Sequence, residues 1–147
     1  MGDGVYKDCH LLERIVLSSD TERIGKSAFE NSKWLKCVEN AMAVREIGAQ
    51  AFSGCQSLEM IDLSDAVTDL GKRCFEHCVS LKEIHLSERL ETIPERAFFR
   101  CKALKTLAIP PSVKEIGAEA FAFCDGLEEV RITGDTKMAE NAFAFCD

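Results

Sequence analysis

Aromatic residues recur along this chain of 147 residues at an almost constant interval, and that interval limits its fold more than any other feature. Phenylalanines stand at Phe29, Phe52, Phe75, Phe98, Phe121 and Phe143, and one step earlier stands Tyr6. The steps are 23 residues, the last 22. Other positions keep the same phase. Three residues after each aromatic come Cys9, Ser32, Cys55, Cys78, Cys101, Cys124 and Cys146, and three further on Leu12, Leu35, Leu58, Leu81, Leu104 and Leu127. Ile15, Val38, Ile61, Ile84, Leu107 and Val130 follow. Each unit closes on Ile24, Ile47, Leu70, Ile93, Ile116 or, one residue early, Met138. The next residue is Gly25, Gly48, Gly71, Pro94, Gly117 or Ala139. A unit this short cannot bury its own apolar face, but stacked copies bury one another's.

The segment L-x-x-I-x-L ends in period-two alternation and reads as a short strand. Successive copies then lie parallel, ~4.8 Å apart, and the rest of the unit supplies the crossover. V-x-x-I-G reads as a second extended piece, its glycine suited to a positive φ. A-F-x-x-C reads as a short helical turn with Ala, Phe and Cys inward. The expected organisation is a tail at 1–4 and one domain at 5–147, with units 5–27, 28–50, 51–73, 74–96, 97–119 and 120–141 and a partial unit 142–147. The interior becomes ladders of Phe and of Cys, the latter including Cys55, Cys78, Cys101 and Cys124.

The stretches AFSGCQSLEMIDLSDAVTDLG and AFAFCDGLEEVRITG resemble the BspA-like leucine-rich repeat family. The resemblance implies an α/β repeat solenoid. It would be a right-handed superhelix with a parallel sheet on the concave face and short strands or helical turns elsewhere. It also implies an interaction or adhesion module without enzymatic activity, often within a long surface or secreted protein. The first residues, MGDGVYKDCH, carry neither a basic region nor an apolar stretch, so they do not read as an export signal.

Eighteen Lys and Arg against 25 Asp and Glu leave a net charge of −7, which argues against a nucleic-acid partner. No apolar run approaches the ~18–20 residues of a membrane-spanning helix. The expected partner is a protein or other macromolecule. Its contact surface is expected on the outward strand positions Arg14, Val16, Cys37, Glu39, Met60, Asp62, Glu83, His85, Thr106, Ala108, Glu129 and Arg131. A second candidate is a convex apolar patch of Phe99, Phe123 and Phe145, near where Asp8, Asn31, Gly54, His77 and Arg100 precede the last two in phase. Packing between the last units, or onto further chain, is the competing reading of that patch.

The ladder cysteines read as small buried thiols, and Cys37 as the most exposed thiol. The run Cys74, His77, Cys78 lacks the second cluster that zinc sites use, so neither metal nor other cofactor is expected. Cys37 and His85 lie two units apart, too far for a nucleophile and base. The second unit breaks the pattern at Ser32, Trp34, Cys37 and Asn40, so local loosening or a small kink is expected around residues 31–44. The chain starts and stops in one phase without polar caps. It is expected to be a piece of a longer protein, the alternative being ends that associate.

Overall fold

A computed structural model of the chain describes residues 1–146. Its strands form two rows. The first row holds β1 (Arg14–Val16), β3 (Cys37–Glu39), β5 (Met60–Ile61), β8 (Thr106–Ile109) and β10 (Glu129–Ile132). The second holds β2 (Arg23–Ile24), β4 (Glu46–Ile47), β6 (Asp69–Leu70), β7 (Thr92–Ile93), β9 (Glu115–Ile116) and β11 (Lys137–Met138). Every pairing is parallel and joins residues equivalent in the repeat: Ile15 to Val38, Val38 to Ile61, Leu107 to Val130, Ile24 to Ile47 and Ile93 to Ile116. The chain is a β-solenoid, one coil per unit.

Alternation decides which side chains turn inward. Leu35, Leu58, Leu81 and Leu104 are fully buried, as are Phe29, Phe52, Phe75, Phe98 and Phe121. The rings stack from Tyr6 to Phe143 with centroids 5.0–5.4 Å apart and planes within 10° of parallel. Such a column adds ring-on-ring attraction to the burial of each side chain.

Among the described residues no helix forms. The A-F-x-x-C segment, expected as a helical turn, is a run of overlapping β-turns. In the second coil the N–H groups of Ala28, Glu30 and Ser32 donate three residues back, to the carbonyls of Gly25, Ser27 and Phe29. The alternate N–H groups of Ser27, Phe29 and Asn31 donate to Ala49, Ala51 and Ser53 of the next coil. Left-handed backbone at Ser27 (φ 54°) and Asn31 (φ 59°) makes this alternation, and Gln50, Arg73, Arg96 and Glu119 repeat the first of them. A helix would turn these N–H groups into its own axis. Here half of them tie coil to coil, so the turn segments form a third row of inter-coil bonds.

Contrary to the expectation of positive φ, the unit-closing glycines do not take it; among the described residues the glycines that do are Gly4 and Gly54. They are needed because the coils approach closely. A Cβ on Gly48 would sit 2.6 Å from the Lys26 nitrogen, and one on Gly71 2.2 Å from that of Ala49.

The second coil is not loosened. β3 is the central strand of its sheet, and Asn40, at φ 62°, donates its side-chain N–H to the Leu17 carbonyl at 2.8 Å. The irregular coil is the fourth. Residues 81–87 form no strand, and the second row divides into β2–β4–β6 and β7–β9–β11.

Candidate functional site

Nine of the twelve outward positions lie on first-row strands. In β1, β3 and β5 the register sets Arg14, Cys37 and Met60 side by side, with Val16 beside Glu39. In β8 and β10 it sets Thr106 beside Glu129 and Ala108 beside Arg131. Asp62, Glu83 and His85 stand on the stretch between those strands, all exposed. Cys37 and Glu39 are half-buried; the other ten are exposed.

Charges on this face pair toward its two ends. Arg14 grips Glu39 with two hydrogen bonds, 3.0 Å from Nε and 2.6 Å from Nη2. That guanidinium holds the Glu39 carboxyl below its ordinary pKa. Arg131 bonds Glu129. The middle is different: Met60 is 43% exposed, and among the described residues Asp62 and Glu83 engage no cation. His85 Nε2 lies 2.8 Å from Asp65 Oδ1, and this contact, with the Glu88 N–H, holds the Asp65 carboxyl below its ordinary range. The sequence reading missed Asp65, because the contact crosses from one coil's turn to the extended stretch of the next coil.

The cysteine ladder does more than fill space. Sγ–H of Cys55, Cys78, Cys101, Cys124 and Cys146 donates to the carbonyl of Phe29, Phe52, Phe75, Phe98 and Phe121, at 3.0–3.2 Å. Ser32 Oγ donates to Tyr6 in the same way at 2.6 Å, which explains why the ladder accepts serine. Burial pushes Cys55 and Cys124 up to about 12 and raises Cys74, Cys78 and Cys101 as well. These thiols are neutral donors, poor nucleophiles and poor metal ligands.

The run Cys74, His77, Cys78 points in different directions. Both cysteines face the core, while His77 is half-buried and edge-on to Phe99, 5.7 Å between centroids. Among the described residues no three His, Cys, Asp or Glu side chains gather as a metal site.

The aromatic patch is only partly a surface. Phe99 is 6% exposed, covered by the Arg96 guanidinium 4.4 Å from its centroid. Arg100 lies over both Phe99 and Phe123, at 5.5 and 5.0 Å. Phe123 stacks on Phe145 at 4.8 Å, and Phe145 is 66% exposed. The arginines were not singled out in the sequence, although Arg100 shares a column with both outer phenylalanines. A groove of about 780 Å³ runs elsewhere, along the second row, where Gly25, Gly48 and Gly71 leave backbone as its floor.

This stack of near-identical coils defines a leucine-rich repeat solenoid. The profile of the BspA type leucine rich repeat region, 6 copies, matches residues 35–147, and the chain belongs to that family. Solved structures agree on the fold. A leucine rich repeat protein of T. pallidum is 27% identical, with a TM-score of 0.87, over 94% of this chain and 65% of that one. A leucine rich cell surface protein of Faecalibacterium prausnitzii is 24% identical, with a TM-score of 0.79, over 91% of this chain and 45% of that one. A leucine-rich repeat protein of Bacteroides ovatus is 27% identical, with a TM-score of 0.69, over 92% and 41%. The chain thus spans less than two thirds of the length of these relatives. No curated protein matches it.

Proposed function

We propose that the chain is a non-enzymatic protein-interaction module, residues 5–147, whose first-row face is the contact surface. In this reading that face is the concave side of a right-handed coil, and the parent protein works at a cell surface, where adhesion is one use for it. The observation that carries it is the outward face itself: nine of the twelve side chains are held in register by parallel strands, mixed in chemistry, and Asp62 and Glu83 stand exposed between those strands. Side chains ordered before contact lose little conformational freedom on binding. The non-enzymatic half rests on the neutral buried thiols and on His85 being bonded to Asp65, two coils from Cys37.

The test is capture from a lysate of the source organism by the immobilised chain and by a variant with Glu39, Asp62, Glu83 and Glu129 all changed to Lys. Loss of captured proteins in the variant supports the face. Equal capture removes it.

A second reading, a spacer inside a longer surface protein, draws on the relatives being longer than this chain. It predicts that neither form captures anything. End-to-end self-association is the alternative to a place inside a longer protein. It would show as mass growing with concentration in sedimentation.

A further inference from the structure

We propose that the fourth coil is a hinge that divides the solenoid into two rigid blocks, residues 5–73 and 97–141. Three rows of inter-coil hydrogen bonds hold this chain together, and two of them fail at the same coil.

On the second row, the residue that closes each unit donates its N–H to the preceding coil. Gly48 donates to Ile24, Gly71 to Ile47, Gly117 to Ile93 and Ala139 to Ile116, at 2.7–3.0 Å. The fourth coil has Pro94 there, which has no N–H to give. The Leu70 carbonyl loses its donor. The neighbouring bond fails too: Arg45 donates to Glu22, Thr68 to Arg45 and Lys114 to Glu91, yet Glu91 makes no such bond to Thr68. β6 and β7 therefore do not pair with each other. A groove of about 400 Å³ opens between them, lined by Thr68, Asp69, Leu70, Arg89, Glu91 and Thr92.

On the first row, Lys36 donates to Glu13 at 2.7 Å, Glu59 to Lys36 at 2.8 Å and Glu128 to Lys105 at 2.8 Å. At the fourth coil the bond from Lys82 to Glu59 stretches to 3.4 Å, and the one from Lys105 to Lys82 is missing. Ile84 is only half-buried where Val38, Ile61 and Leu107 are buried. Side chains join the third and fourth coils on this side: Lys82 Nζ meets Glu59 at 3.1 Å, Ser80 Oγ donates to the Gln56 carbonyl at 2.6 Å, and Asp65 meets His85 and the Glu88 N–H with its carboxylate while its carbonyl accepts from Ser87.

The third row is whole. Gln50, Phe52 and Gly54 donate to Lys72, Cys74 and Glu76, then Arg73, Phe75 and His77 to Glu95, Ala97 and Phe99, at 2.8–3.1 Å. The ring column also passes through unbroken, with Phe75 5.2 and 5.3 Å from its neighbours. The third–fourth seam is thus open along the second row and the fourth–fifth seam along the first, while the turn row fastens both, so the stack bends about that row. The pivot is the turn row at residues 73–78. The second row opens and closes at the third–fourth seam, where Asp65 and Lys82 are the clasp on the first row, and the first row opens and closes at the fourth–fifth seam. Local openings of this sort draw on segments with few backbone bonds.

Two measurements on the whole chain test this. Amide hydrogen exchange should be about tenfold or more faster at Glu91 and Lys105 than at the equivalent Lys114 and Glu128. Residual dipolar couplings should require separate alignment tensors of different magnitude for residues 5–73 and 97–141. Pro94→Gly puts in that column the residue Gly71 and Gly117 already supply. It should slow exchange at Glu91 and bring the two tensors together. One tensor fitting both blocks of the native chain overturns the hinge. Unequal tensors that Pro94→Gly leaves unchanged overturn the role of the missing donor.

Discussion

At the scale of single residues, the cysteines show how little their abundance means by itself. Cys101 is fully buried and donates to the Phe75 carbonyl at 3.2 Å. That bond is the reason for its chemistry, so a hydroxyl should serve where a methyl cannot. Cys101→Ala should cost about 1–2 kcal/mol, the lost bond and a small void together. Cys101→Ser should cost less, since Ser32 already fills this ladder position with the same bond. Urea midpoints of the two variants give the order, and serine falling below alanine would refute the donor role. The raised thiol pKa values have a second consequence. Folded Cys55 and Cys124 stay protonated to about 12, whereas the unfolded chain releases those protons near the ordinary thiol value of 9.0. The unfolded state therefore binds fewer protons above that value, and stability falls as pH rises. Each buried thiol adds up to about 1.4 kcal/mol per pH unit to the fall. Denaturant midpoints should be flat up to about pH 8 and drop steeply above it. Replacing Cys55 and Cys124 with Ser should soften the drop.

At the scale of the element, what the sequence discloses depends on how directly a residue type specifies geometry. The strands were legible because L-x-x-I-x-L alternates, and the ladders because one phase runs from Tyr6 to Phe143. The outward face followed from the same alternation. The turn segment was not legible, because Ala, Phe and Cys at that spacing fit a helical turn as well as overlapping β-turns. The residues that settle it, Ser27, Gln50, Arg73, Arg96 and Glu119, share a left-handed backbone but no chemistry. The glycines were seen and their reason mistaken: what excludes a side chain is the neighbouring coil's backbone. Gly71→Ala should therefore destabilise the chain more than Gly117→Ala, because the added methyl meets backbone nitrogen at 2.2 Å in the first case and 2.8 Å in the second. Overpacking of this kind costs about 1–3 kcal/mol. Thermal midpoints check the order. Equal values would mean that the coils separate freely on this row. Pro94 was visible as a departure from glycine, but its effect comes from an absent N–H, which no hydrophobic pattern registers.

At the scale of the whole molecule, each coil touches only its neighbours, and all coils offer nearly the same surface. Val38 pairs with Ile15 on one side and Ile61 on the other, and Phe52 stacks between Phe29 and Phe75. Stability in such an array is close to a sum of coil terms and interface terms. The phase of the repeat should then matter more than the length of the chain. Excising residues 51–73, one full period, joins Gln50 to Cys74. Phe75 then meets Phe29, the Cys78 thiol meets the Phe29 carbonyl, and the turn row closes by the same alternation. We expect this shortened chain to fold, with the strand content per residue kept in circular dichroism and a single transition at a lower midpoint. Excising residues 51–61 removes half as much but sets Phe75 and every later inward residue out of phase with the coils before them. That chain should lose the cooperative transition. If both deletions behave alike, then coil-to-coil register does not hold this solenoid together, and the ring column, the thiol ladder and the glycine contacts are each local conveniences with no joint effect.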